Sequence, residues 1–207
     1  MRRAIHDGRG RKPSKAAARR SLLVFTEGEK TETIYLQHWY RLHRDRVIVT
    51  FGDFHGVPLR LVEEARDRKK ADLREQKRGR GAAYDEYWCV FDVDEHPNLR
   101  QATELAAAHG INLAVSNPCL ELWFLLHLKE QWASLDRHDA QSQVRELLGC
   151  GKVLTPAALA RLAELHDQAV SRALALEGKH RGDGSPSRAN PSTDIWRLVE
   201  RIRTAGV

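Results

Sequence analysis

The 207-residue chain is poor in sulfur and lacks long apolar runs. Its three cysteines, Cys89, Cys119 and Cys150, are too few and too scattered for a disulfide framework or a thiolate zinc site. No stretch approaches 18 consecutive apolar residues, so no membrane-spanning helix is expected. The first residues are positively charged but hold no apolar segment before Ser21, which argues against a secretory signal. These absences together give the expectation of a cytoplasmic protein with no membrane partner. The chain has no internal repeat and no G-x-x-x-x-G-K-[ST] loop, so any use of ATP must come from another protein.

What is present is an ordinary globular composition, 42% apolar and 30% charged, with an uneven charge distribution. The formal net charge is +6, yet residues 1–20 alone carry eight Lys/Arg against the single acid Asp7. The remainder is therefore close to neutral. Gly, Pro and charge in this segment argue against a packed conformation, so residues 1–20 are expected to be a disordered basic tail. A second basic run, Arg66 to Arg80, has eight Lys/Arg against three acids. Arg68, Lys69, Lys70, Arg74, Lys77, Arg78 and Arg80 in that run, with Lys30, are candidate contacts to a phosphate backbone. The plainer reading of both basic segments is solubility.

The periodicity alternates. Ser21–Thr26, Arg46–Phe51, Glu86–Val93 and Ile111–Ser116 are short apolar runs suited to buried strands. Between them, Lys30–His43, a charged segment opening at Pro58, and Leu99–His109 have helical spacing; a fourth helix is expected at Cys119–Leu128. Asn117-Pro118 is read as the cap and first turn of that fourth helix. The pattern predicts an α/β fold: a parallel four-stranded sheet with helices on both faces over residues 21–128. Residues 129–207 read as a helical extension on the same domain, with helices at Asp139–Leu148, Pro156–Leu176 and Thr193–Thr204. A loop, Gly178–Ser192, separates the last two, and Ser192 is read as an N-cap.

In an open parallel sheet, ligands bind beyond the carboxyl ends of the strands, where the strand order reverses. Strand one ends in Thr26-Glu27-Gly28-Glu29 and strand three in Asp92-Val93-Asp94-Glu95-His96. The two-residue period of a strand points Asp92 and Asp94 to the same side. If strands one and three are neighbours, Glu27 reaches the same point. Converging carboxylates repel one another when ionised, and a pocket of oxygen ligands suits Mg²⁺ or Mn²⁺. Gly28 removes a side chain beside the site. Any one of these acids alone could instead serve the dipole of the following helix.

Four blocks, TEGEKTE at 26–32, FDVDEH at 91–96, SNPCLELWFLLH at 116–127 and NPSTDIWRLVE at 190–200, resemble the RloB-like family. LLVFTEG followed by VFDVD is similar to the signature of the TOPRIM fold found in topoisomerases, bacterial primases and OLD-type nucleases. The resemblance implies a TOPRIM-like domain and a metal-dependent nuclease acting on DNA or RNA. It also implies a role in anti-phage defence beside a partner ATPase encoded nearby. By residue matching, Glu27, Asp92 and Asp94 take the metal and catalytic positions. Glu121 is a further catalytic candidate with equal standing as a helix-dipole acid. Lys179, with His180, Arg181 and Arg188 in the same loop, is a candidate for neutralising charge on a phosphoryl group. No catalytic tyrosine can be assigned. His96 is read as a solvated loop residue and His127 as a core histidine. The rival reading is a non-catalytic sensor or regulator of an ATPase. A primase-like nucleotidyl transferase is disfavoured by the lack of a zinc-binding domain. Strandedness and oligomeric state are left open.

Overall fold

The computed structural model describes residues 19–93, 96, 98–151 and 153–204. Asp94 and nearly all of the basic tail lie outside the described residues.

Local chemistry places each element. β1 (Arg20–Thr26), β2 (Val47–Phe51), β3 (Glu86–Asp92) and β4 (Asn112–Asn117) are the β-branched and apolar runs. Intervening helices are α1 (Thr31–His43), α2 (Pro58–Lys77) and α3 (Leu99–His109). Pro58 occupies the first turn of α2, where a missing N–H costs nothing. α3 ends at Gly110, whose φ of 60° is the left-handed cap that glycine adopts without strain. Then follow α4 (Leu120–Leu128), α5 (Arg137–Leu148), α6 (Pro156–Glu164), α7 (His166–Gly182), β5 (Ser192–Thr193) and α8 (Ile195–Arg203).

The strand order is β2-β1-β3-β4-β5. The first four are parallel and β5 pairs antiparallel with β4, so the sheet has five strands rather than the four expected. Two residues are too short for a periodic signal. β5 exists because Thr193 and Ser116 join hydroxyls at 2.7 Å and the Asp194 carboxylate accepts the Val115 N–H.

Alternate residues of each strand enter separate apolar cores. Leu22, Val24, Trp88 and Val90 face α1 and α4–α8; Leu23, Phe25, Cys89 and Phe91 face α2 and α3. With both faces covered, the strands read as unbroken apolar runs. α4 is apolar on every side because it fills the centre of the first layer, with Leu122, Trp123, Phe124, Leu125 and Leu126 fully buried.

Four further expectations are corrected. Pro156–Leu176 is two helices, broken at Leu165, because α6 packs on α1 while α7 packs on α4. Two docking surfaces set the bend, and no Gly or Pro marks it. α7 then continues to Gly182, so Lys179, His180 and Arg181 are helical rather than in a loop. Asn117 caps nothing: its amide donates to the Arg188 carbonyl at 2.7 Å, and Ser192 lies in β5 while Asp194 takes the N-cap position of α8.

His127 is a core histidine, as expected. Its Nδ1 bonds the Trp123 carbonyl at 2.7 Å and its ring packs on Trp123. Burial pushes its pKa down to about 3. The unfolded chain then takes up a proton near pH 6.5 that the folded chain refuses until about pH 3. Stability contributed by this group is complete above pH 6.5 and is lost as pH falls through that window, at about 1.4 kcal/mol per pH unit. Urea unfolding at pH 7 and pH 5 checks this, and His127→Phe should flatten the dependence.

Candidate active site at the β1–β3 switch point

The strand order reverses between β1 and β3: β2 was added on one side of β1 and β3 on the other. The crevice therefore opens beyond Thr26 and Asp92. Register continues past β1, because Glu27 N–H donates to the Val90 carbonyl at 2.9 Å. That bond turns the Glu27 side chain across β3. Its Oε2 accepts the Asp92 N–H at 3.1 Å, and its Oε1 lies 3.2 Å from His96 Nε2. His96 is thus a partner of Glu27, not the solvated loop residue expected from its loop position. The Thr26 hydroxyl donates to the Gly28 carbonyl at 2.9 Å and fixes the turn that follows.

The crevice is a cleft of about 400 Å³ lined by Glu27, Lys30, Glu32, Asp92, Glu121 and Arg137 among others. Glu121 enters from the first turn of α4 and Arg137 from the start of α5. Asp92 is 6% exposed. Burial, then the negative charge of Glu32, raises its carboxyl well above the usual aspartate range; Arg137, 3.1 Å from Oδ2, only partly opposes this. Glu32 is raised as well, by burial first and then by Glu121 and Glu27. The fold has gathered five acids, Glu29 among them, around one cleft at an electrostatic cost.

Glu32 and Arg137 were missed by sequence reading. Glu32 sits in TEGEKTE, in the first turn of α1, and nothing in the sequence singled it out. Arg137 comes from 45 residues beyond Asp92, in a segment whose only sequence signal is a helix start. Gly28 explains why Glu32 fits: a Cβ there would lie 2.5 Å from one Glu32 carboxylate oxygen and 2.8 Å from the other. Gly28→Ala should therefore push the Glu32 carboxylate out of the cleft. The cost to the fold should stay within about 1 kcal/mol, because only the end of a side chain must move. A thermal melt and a crystal structure of the variant check both parts.

The donor set is all oxygen, with a buried carboxylate held in need of positive charge, which fits a hard divalent cation by chemistry. By spacing, Arg137 already stands on Asp92, and among the described residues no three Asp, Glu, His or Cys side chains lie close enough together to hold an ion.

The other sequence-chosen residues are placed apart. Lys30 lines the cleft. Lys179 does not; it pairs with Asp183 at 2.7 Å on exposed α7. The basic run lies on the C-terminal half of α2, which runs back to the opposite end of the sheet. Lys69 donates to the His109 and Gly110 carbonyls, capping α3, and Asp72 accepts from Tyr87 at the start of β3. Arg68 pairs with Asp72, and Arg78 and Arg80 both pair with Glu75. Lys70, Arg74 and Lys77 complete the run on the same helix. This run is thus neither beside the acids nor uniformly available.

No curated protein and no solved structure matches the chain. A family of RloB-like proteins matches residues 22–202, which takes in both cores, the cleft and the helices that close it. The chain belongs to the RloB-like family.

Proposed function

We propose that this protein is a metal-dependent phosphodiester hydrolase of the TOPRIM type, acting on nucleic acid with Mg²⁺ or Mn²⁺. The observation that carries the reading is the Glu27 carboxylate seated on the Asp92 backbone at the switch point of the sheet, with Glu32 and Glu121 across the cleft. Glu27, Asp92 and Asp94 are the residues to hold the ion, and Glu121 is a further oxygen. A bound divalent ion would supply Lewis-acid charge to a phosphoryl oxygen and lower the pKa of water. The chain's own groups do the rest. His96 and the Asp92 N–H orient the Glu27 carboxylate, the group placed to accept a proton from water. Lys30 offers a cation to the incoming phosphate at the mouth. A place in anti-phage defence and a partner ATPase are proposed from family resemblance, since the chain carries no nucleotide-binding loop of its own.

The test uses the purified full-length chain with single- and double-stranded DNA and RNA, in Mg²⁺ or Mn²⁺. Cleavage that disappears in Asp92→Asn and in Glu27→Gln supports the proposal. Cleavage that survives both overturns it.

One observation favours a second reading. Arg137 gives Asp92 a built-in counter-charge, so the acid cluster can persist with no ion at all. A non-catalytic regulator of an ATPase would be built that way. It predicts tight binding to that ATPase and no turnover by the isolated chain in either metal.

A further inference from the structure

A second cleft, also about 400 Å³, opens at the β4–β5 edge between the end of α7, the segment 183–191 and the start of α8. Its chemistry is the reverse of the acidic cleft. Three guanidinium groups, Arg181, Arg188 and Arg197, face two carboxylates, Glu177 and Asp194, and serine hydroxyls complete the wall.

The arginines are poorly satisfied by what the chain offers them. Glu177 serves Arg181 at 3.2 Å and Arg197 at 3.3 Å together. Asp194 already accepts the Val115 N–H, and Arg188 reaches it only at 3.4 Å; the other Arg188 contact, to the Thr103 hydroxyl, is 3.3 Å. Charge-assisted bonds normally close to about 2.7–2.9 Å. Ion pairs elsewhere in this protein include 2.6 Å for Arg60–Glu63 and 3.4 Å for Arg20–Glu86, so the contacts in this cleft lie at the long end of that range. Three guanidinium groups, with five N–H donors each, share two carboxylates here, which leaves N–H donors for a further anion.

Arg188 is also held in an unusual way. Its φ of 60° makes it the one non-glycine residue with positive φ among the described residues. A conformation of this kind persists only where the surroundings impose it. Here Asn117, at the end of β4, pins the Arg188 carbonyl at 2.7 Å. The same residue that ends β4 therefore aims the arginine beside the sheet.

We propose that this cleft is a phosphate subsite: Arg188 and Arg197 take a backbone phosphate of the nucleic-acid strand whose scissile phosphate lies at the acidic cleft. The strand assignment rests on the hydrolase reading. Distance supports it. Asp92 pairs with Ser116 and Ser116 with Thr193, so the backbones of Asp92 and Thr193, one in the lining of each cleft, stand about two strand spacings apart, roughly 10 Å. A nucleic-acid strand carries one phosphate per nucleotide along its backbone, so the subsite stands within a few nucleotides of the cut.

The experiment measures binding without metal, by fluorescence anisotropy of labelled DNA and RNA oligonucleotides on the full-length chain in EDTA over a salt series. Arg188→Gln and Arg197→Gln should each weaken binding about three- to tenfold and reduce the slope of log K against log salt by about one. Ser187→Asp keeps both arginines and adds a negative charge to the wall; it should weaken binding at least as much, which guards against a folding defect in Arg188→Gln. Arg161→Gln, on distant α6, should bind as the wild type does. Unchanged affinity and slope in all three cleft variants overturns the proposal. So does Arg188-dependent binding of inorganic phosphate or pyrophosphate with no oligonucleotide binding, since that would make the site one for a free anion. Cleavage assays with Asp92→Asn decide the hydrolase reading independently, so the two can fail separately.

Discussion

Asp92→Asn is expected to lower metal-dependent cleavage by about a thousandfold, equivalent to ~4 kcal/mol of transition-state stabilisation, while raising the melting temperature of the metal-free protein. The second half follows from the sign of the pKa shift. The Asp92 carboxyl is held above its ordinary range, chiefly by burial and then by Glu32. The folded state therefore binds that proton more tightly than the unfolded state does. Stability associated with Asp92 is full at low pH and declines as pH rises through the folded-state value. An asparagine cannot ionise, so it removes the decline. Arg137 loses one carboxylate contact, and because its side chain is 42% exposed much of its charge stays hydrated. Melting curves of wild type and variant should converge at acidic pH and separate above it. A variant that cleaves normally, or that melts below the wild type at pH 8, contradicts the description of this site as one that trades stability for charge.

Trp123→Ala should be the most damaging single truncation in the scaffold. Trp123 is fully buried at the centre of α4, donates its indole N–H to the Tyr35 hydroxyl at 2.7 Å, and meets the rings of His127 and His166 edge-on. Removing a ring of this size from a packed core costs about 3–5 kcal/mol, and ~10 °C in melting temperature for a chain this long. Trp123→Phe keeps the ring contacts and loses the N–H, so its loss should be clearly smaller. The effect should reach the acidic cleft as well. Glu121 lies two residues before Trp123 on the same nine-residue helix, so the packing of α4 sets where that carboxylate stands in the cleft. Calorimetry on the two variants, with cleavage measured well below the lower melting temperature, separates the scaffold effect from the site effect.

Much of this was legible from residue order because the signals are local. Apolar runs bounded by turn residues make β1 to β4. Pro58 and Gly110 punctuate α2 and α3. Glu27 and Asp92 stand at carboxyl ends, where a doubly wound sheet opens its crevice. Signals that depend on distant partners were misread. Asn117 looked like a helix cap and instead holds Arg188, 71 residues away. Lys179 looked poised in a loop and is tied to Asp183 on a helix. The basic run of α2 looked like a footprint beside the acids, yet the return path of a crossover helix carries it to the other end of the sheet.

Periodicity, composition and a few punctuating residues were enough to determine the α/β class, the two-sided burial of the strands and which acids would stand at the rim. Tertiary structure alone decided three things: that Arg137 pairs with Asp92, that Glu32 joins the cleft under the space left by Gly28, and that three arginines gather at the sheet edge. The reason is physical. Secondary structure is set by interactions over a few residues, which a sequence states directly. Charge complementarity across a cleft is set by which helices pack side by side, and that becomes fixed only when the apolar layers close.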